Sequence, residues 1–192
     1  MDSIYEPARA VPVAGEFDLC VIGGSCTGVF AAIAAARRGL KVAVVENLAY
    51  FGGTATASMV CVWHSSMDTV NQRPIYGGLT MEAVQRLKKR DEVTDRGPGP
   101  DAQFVFNPWA LAIELDRMVV QAKVRPFLHT RFAAPVLAEQ GRIEAAIIED
   151  KTGRRAIRAR MFIDASGDGD LVHRAGLATY RGQKLQPPTA CV

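Results

Sequence analysis

A glycine-rich turn set between an apolar strand and a helix constrains this chain more than any other feature. Phe17 to Ile22 (FDLCVI) is a short apolar run, as expected of a buried strand, and it stops at Gly23-Gly24. From Gly28 to Arg38 the period becomes helical. Val29, Ala32, Ile33 and Ala36 fall on one face, and Gly39 supplies a C-terminal stop. Lys41 to Val45 (KVAVV) is a second buried strand. Strand, short helix and strand at this spacing predict a right-handed parallel crossover. The turn Gly23-Gly24-Ser25-Cys26-Thr27-Gly28 stands where a dinucleotide fingerprint stands. Gly23 permits the tight bend and Gly28 permits close helix–strand packing. The helix N-terminus offers unpaired N–H groups and the positive end of its dipole to phosphates. The middle position must let the backbone approach a pyrophosphate, and here it is Ser25. Serine is small, and its hydroxyl can itself bond a phosphate. A tight strand–helix connection without any ligand would use the same glycines.

Glu46 ends the second strand, at about the separation from the glycines where an acid meets a ribose. A carboxylate there can accept hydrogen bonds from both ribose hydroxyls, and it would repel a 2′-phosphate, which argues against NADP. The plainer alternative is a surface acid after a strand. Gly52-Gly53-Thr54 follows. It either brings backbone amides to the pyrophosphate from the other side or is an ordinary loop. Ser166-Gly167-Asp168 closes another buried strand, Met161 to Ala165 (MFIDA), at the edge where ligands of α/β sheets bind. Its acids either serve hydroxyls or cap the next helix.

Between these points the pattern is mixed. Residues 47–75 read as loop. Thr80 to Arg90 reads as a helix with Thr80 as N-cap, and Asp91 to Asp101 as an exposed, mobile loop. Asn107-Pro108 opens a helix to about Ala122, since Asn caps and Pro fits the first helical position. Phe127 to Thr130 reads as a strand. Pro135 to Ala138, Ile143 to Ile148 and Arg154 to Ala159 are short runs separated by hairpin signals. The expected fold is therefore α/β: a parallel sheet with flanking helices and an antiparallel β-meander inserted before the last parallel strand. Residues 1–16 read as a flexible leader, 17–182 as the nucleotide-binding domain, and 183–192 as the start of a truncated segment.

Charge and cysteine usage exclude other classes. The net charge is +3 over 192 residues with acids and bases interspersed, so no nucleic-acid surface is indicated. No apolar run approaches a membrane span, and Met1 to Gly15 lacks the core of a secretory signal, so a cytoplasmic protein is expected. Cys20, Cys26, Cys61 and Cys191 form no C-x-x-C pair, and neither a metal site nor a disulfide framework is indicated. His129 and His173 read as structural.

The motifs VIGGSCTGVFAAIAAARRGLKVAVVE, FGGTATA, YGGLT, NPWAL, the meander and FIDASGDGDLVHRAG occur in that order. Together they resemble the FAD-dependent oxidoreductases of the glutathione-reductase-like superfamily, over about Asp18 to the C-terminus. The resemblance implies a Rossmann-like FAD-binding domain and FAD-dependent oxidation or reduction of a small-molecule substrate. Gly23, Ser25 and Gly28 would face the pyrophosphate, within the turn that also holds Gly24, Cys26 and Thr27. Glu46 would meet the adenosine ribose, and the backbone around Phe132 the adenine. Gly53 and Thr54 would lie toward the pyrophosphate and flavin, and Ser166, Gly167 and Asp168 near the cofactor's middle. The stretch Cys61, Trp63, His64 would run near the flavin ring. That makes His64 a candidate catalytic residue, as proton acceptor, donor or attachment point; the alternative is a satisfied polar group beside core residues. The chain departs from the family at Ser25 and at Trp109, where an acid often follows the proline.

Members of that family continue well beyond this length. The chain is therefore expected to be an N-terminal portion that is not competent alone, with self-association or a partner chain supplying the rest. An NAD-binding dehydrogenase domain is one alternative, against which the meander and DASGDGD argue. A non-catalytic nucleotide-binding subunit needing a partner chain is another.

Overall fold

The computed structural model describes residues 2–68, 70–71, 73–98, 102–180 and 182. The chain runs β1 (Val13–Ile22), α1 (Cys26–Ala36), β2 (Val42–Val45), β3 (Val62–His64), α2 (Gly78–Lys88), β4 (Val93–Asp95), β5 (Gln103–Phe106), α3 (Pro108–Gln121), β6 (Arg125–Phe127), β7 (Arg131–Leu137), β8 (Ile143–Asp150), β9 (Gly153–Asp164) and α4 (Asp170–Arg174). This is the expected α/β architecture. The main sheet has the order β6-β2-β1-β9-β8-β7. Its β6-β2-β1-β9 half is parallel and its β9-β8-β7 half antiparallel.

The alternation of side chains across the strands explains the two cores. Leu19 and Val21 of β1, with Val42 and Val44 of β2, turn to the helical side. There they pack with Val29 and Ile33 of α1 and Leu111, Leu115 and Met118 of α3. Cys20, Ile22, Ala43 and Val45 face the other way and cluster with Phe127, Phe132, Ile148 and Ile157. All four residues of β2 are buried, as in a parallel strand covered on both faces. Charged groups join the helices on the outside. Glu82 of α2 pairs with Arg37 just beyond α1 and with Arg86, and the buried Glu114 of α3 accepts from Arg90 and Arg117.

Several boundaries differ from the sequence reading. β1 begins at Val13, inside the segment read as a leader, because β9 offers a parallel partner to Val13 through Phe17. Glu6, further upstream, forms an ion pair with Arg154. α1 begins at Cys26 rather than Gly28, because Ser25 acts as its N-cap. α2 begins at Gly78 after a Gly77 cap with no side-chain hydrogen bond, so Thr80 lies in its first turn. β6 covers Arg125–Phe127 rather than Phe127 to Thr130, in register with Ala43–Val45. The chain then turns at His129, which has φ 48°.

The runs Arg154 to Ala159 and Met161 to Ala165, expected as separate strands, form one continuous β9. It pairs antiparallel with β8 and parallel with β1, so the meander shares its last strand with the parallel sheet. A second sheet, β3-β5-β4, was not expected. It draws Val62–His64 out of the segment read as loop and Val93–Asp95 out of the Asp91–Asp101 segment. Residues 99–101 of that segment, and the segment 183–192, lie outside the described residues. The helix expected from Asn107 is present: the Asn107 side chain accepts the N–H groups of Trp109 at 3.0 Å and Ala110 at 3.3 Å.

Candidate functional site

The C-terminal ends of β1, β2 and β9 open on a cleft of about 740 Å³. From β1 the chain runs to β2 on one side, while β9 pairs on the other. The cleft thus lies at the switch point where α/β sheets bind ligands.

The glycine turn is fixed by steric demand. Gly23 has φ 100°, and a Cβ there would lie 2.3 Å from the Ala165 carbonyl oxygen. A Cβ on Gly28 would lie 2.0 Å from the Gly23 carbonyl oxygen. Gly24 is closed by the Phe51 ring and by Glu46, and sits behind the cleft wall rather than on it. The Ser25 hydroxyl is engaged within the protein. It accepts the Gly28 N–H at 3.2 Å and donates to the Ala165 carbonyl at 3.2 Å, tying the first turn of α1 to the end of β9. Thr27 lines the cleft. Cys26 lies outside the lining, its thiol donating to the Gly52 carbonyl at 3.5 Å, and burial pushes it up to about 12. Such a thiol is not a nucleophile at neutral pH.

Glu46 is 8% exposed. One carboxylate oxygen accepts the Gly24 N–H at 2.7 Å and the other the Leu48 N–H at 2.7 Å. An ionised carboxylate has about four acceptor positions, so both oxygens keep capacity for hydroxyl donors in the cleft. Gly53 and Thr54 line the same cleft. Their loop is bound to the glycine turn by the Gly52 N–H donating to the Gly24 carbonyl at 2.8 Å, and a Cβ on Gly53 would come within 3.1 Å of that of Ser25. Phe132 lines the far wall, and Ser166, Gly167 and Asp168 the wall above β9.

The structure does not bring His64 to this cleft. It sits exposed on β3, opposite Gln103, with its carbonyl accepting the Tyr76 hydroxyl at 2.9 Å. Cys61 and Trp63 pack against the helical core, Trp63 with its ring 4.7 Å from that of Phe106. Sequence reasoning missed Arg131, Asp170 and Arg174, which also line the cleft. Asp164 was missed too, because it read as the end of a strand.

The residues present fit a flavin dinucleotide. A buried carboxylate and a turn whose glycines admit no side chain border the cleft. Small hydroxyl residues Ser25, Thr27, Thr54 and Ser58 line it with them. Among the described residues no three His, Cys, Asp or Glu side chains converge as a metal site, and no helix is long and apolar enough to cross a membrane.

Comparison with known proteins agrees with this geometry. The chain is 28% identical over 182 residues to digeranylgeranylglycerophospholipid reductase 1 of Methanopyrus kandleri, covering 92% of this chain and 45% of that protein. It is 32% identical over 93 residues to 3-oxosteroid 1-dehydrogenase of Mycobacterium tuberculosis, covering 43% of this chain and 16% of the relative. The chain thus spans less than half the length of these relatives. The fold matches L-proline dehydrogenase from P. horikoshii with a TM-score of 0.63 at 14% identity, over 88% of this chain and 58% of that one. The model of the family of FAD dependent oxidoreductases matches residues 18–191. The chain belongs to the FAD dependent oxidoreductase family, with FAD as its cofactor.

Proposed function

We propose that this chain is the FAD-binding portion of a flavin-dependent oxidoreductase that acts on a small molecule, and that the cleft at the ends of β1, β2 and β9 receives the cofactor. One observation carries this reading: the buried Glu46 carboxylate is pinned to the Gly24 amide at the head of the glycine turn. An acid held there is placed to accept the adenosine ribose hydroxyls. The α1 N-terminus and the Gly53–Thr54 loop then face the pyrophosphate from two sides, and the Phe132 strand covers the adenine. When bound, FAD supplies the redox chemistry. The chain's own residues bind and orient it.

The relatives include a dehydrogenase and a reductase by name, and a shared cofactor cradle is compatible with either direction of electron flow. A substrate pocket completed by further polypeptide, or by a partner chain, fits the greater length of those relatives. His64, on the second sheet, remains the residue we propose for proton handling once such a pocket forms. Among the described residues Cys20, Cys26 and Cys61 are free, and we propose a cytoplasmic setting for the chain.

The test is calorimetric titration of the chain with FAD, ADP and NADPH. FAD and ADP bind more tightly than NADPH if Glu46 meets the ribose, because the carboxylate repels a 2′-phosphate. Tighter NADPH binding would overturn the reading.

A further inference from the structure

The loop from Ala165 to Gly169 forms one wall of the cleft, yet little packing holds it. Gly167 and Gly169 have φ 86° and 71°, and among the described residues a Cβ added at either would meet nothing within 4 Å. What fixes the loop is the half-buried carboxylate at its base. Asp164 Oδ1 accepts the Ser166 N–H at 3.1 Å and the Ser166 hydroxyl at 2.6 Å, and Oδ2 accepts the Val172 N–H at 3.0 Å. The Ser166 hydroxyl in turn accepts the Asp170 N–H at 3.0 Å. One side chain therefore closes the loop at its start and at α4. Burial opposes charge on Asp164, but the hydrogen bonds from Ser166, Val172 and Leu171 outweigh it and hold the carboxyl below the ordinary range. Asp164 itself lines a recess of about 330 Å³ beside the cleft, shared with Ser25, Thr27 and Gly167.

We propose that Asp164 is a positioning residue for the cofactor: it holds the Ser166–Gly167–Asp168 wall in its ligand-facing shape before FAD arrives. This rests on the reading of the cleft as the FAD site. A wall already ordered removes an entropic cost from binding. That wall adjoins Ser25 and Thr27, beside the glycine turn, whereas in the proposed binding mode Glu46 and Phe132 meet the adenosine. The benefit therefore falls on ligands carrying the pyrophosphate.

The experiment titrates the whole chain, as wild type, Asp164→Asn, Asp164→Ala and Glu46→Gln, with FAD, ADP and adenosine, with thermal midpoints recorded for each. Asp164→Asn keeps one acceptor oxygen and serves where the alanine variant fails to fold. Both Asp164 variants are expected to lose about tenfold or more in affinity for FAD and ADP, and no more than about twofold for adenosine. Glu46→Gln is expected to weaken all three ligands. Unchanged FAD binding in Asp164→Asn overturns the proposal. So does a loss shared equally by adenosine, because a merely structural role weakens every ligand alike. If Glu46→Gln weakens binding while Asp164→Asn is silent, this inference alone fails. If Glu46→Gln changes nothing, the cleft is not the site and both readings fall.

Discussion

Glu46 Oε2 accepts the backbone N–H of Gly24 at 2.7 Å, across a separation of 22 residues in the chain. The acid of the fingerprint is held by the turn of the fingerprint, so the two halves of the motif form one rigid unit. Glu46→Ala strands the buried Gly24 amide, at a cost of about 1–3 kcal/mol, while the freed amide of the exposed Leu48 can turn to water. We expect Glu46→Ala to lower the thermal midpoint and FAD affinity together. Glu46→Gln keeps one acceptor oxygen and should lower affinity with a smaller stability loss. Melting and titration of the two variants check this, and equal stability losses would contradict it.

Gly28→Ala should be severe. Its Cβ would sit 2.0 Å from a backbone carbonyl oxygen, which no side-chain adjustment relieves. Overpacking of this kind costs about 1–3 kcal/mol and displaces α1 from β1. FAD binding should be lost with it. Gly77→Ala is the control, since its Cβ meets nothing within 4 Å, and it should change stability by no more than about 0.5 kcal/mol. Chemical denaturation of both variants tests the contrast.

Acid should loosen the helical layer through Glu82. The Arg37 guanidinium hydrogen-bonded to it, aided by Arg86, holds its carboxyl at about 2. A carboxyl depressed on folding contributes stability above its unfolded pKa of about 4.3, and that contribution is lost as pH falls toward 2. The thermal midpoint should fall over this window, and less steeply in Glu82→Gln. Identical slopes in the two proteins would show that the pair contributes nothing.

Asp116 carries the opposite sign. Its Oδ1 is buried without a hydrogen-bond partner among the described residues, and burial pushes the carboxyl up. Its charge therefore opposes folding at neutral pH, and that opposition fades as acid protonates it. Asp116→Asn should raise the thermal midpoint at pH 7 and have a smaller effect near pH 4. A lowered midpoint at pH 7 would refute this.

His64 lies on β3, away from the residues that line the cleft. His64→Gln should leave FAD affinity within about twofold of wild type by titration. A tenfold loss would bring this residue into the cofactor site.

The local units were legible in the order of amino acids alone. The glycine turn after FDLCVI, the helical period that follows it, and the acid ending KVAVV are short-range patterns, and each specifies its own backbone geometry. The Asn107-Pro108 cap was legible for the same reason. The long-range pairings became visible only in the folded chain. The upstream reach of β1 to Val13 depends on β9, more than a hundred residues later, and the unity of β9 depends on having β1 on one side and β8 on the other. The second sheet joins three strands of only three or four residues each, too short to announce themselves by period alone. Around the cleft, the sequence placed small and acidic residues at the ends of β1, β2 and β9. Which hydroxyl is free and which is occupied followed from contacts such as Ser25 with Ala165, 140 residues apart. A hydrogen bond across the sheet leaves no trace in local periodicity, which is why the pattern did not show that the Ser25 hydroxyl caps α1 or that the strand-end Asp164 anchors a loop.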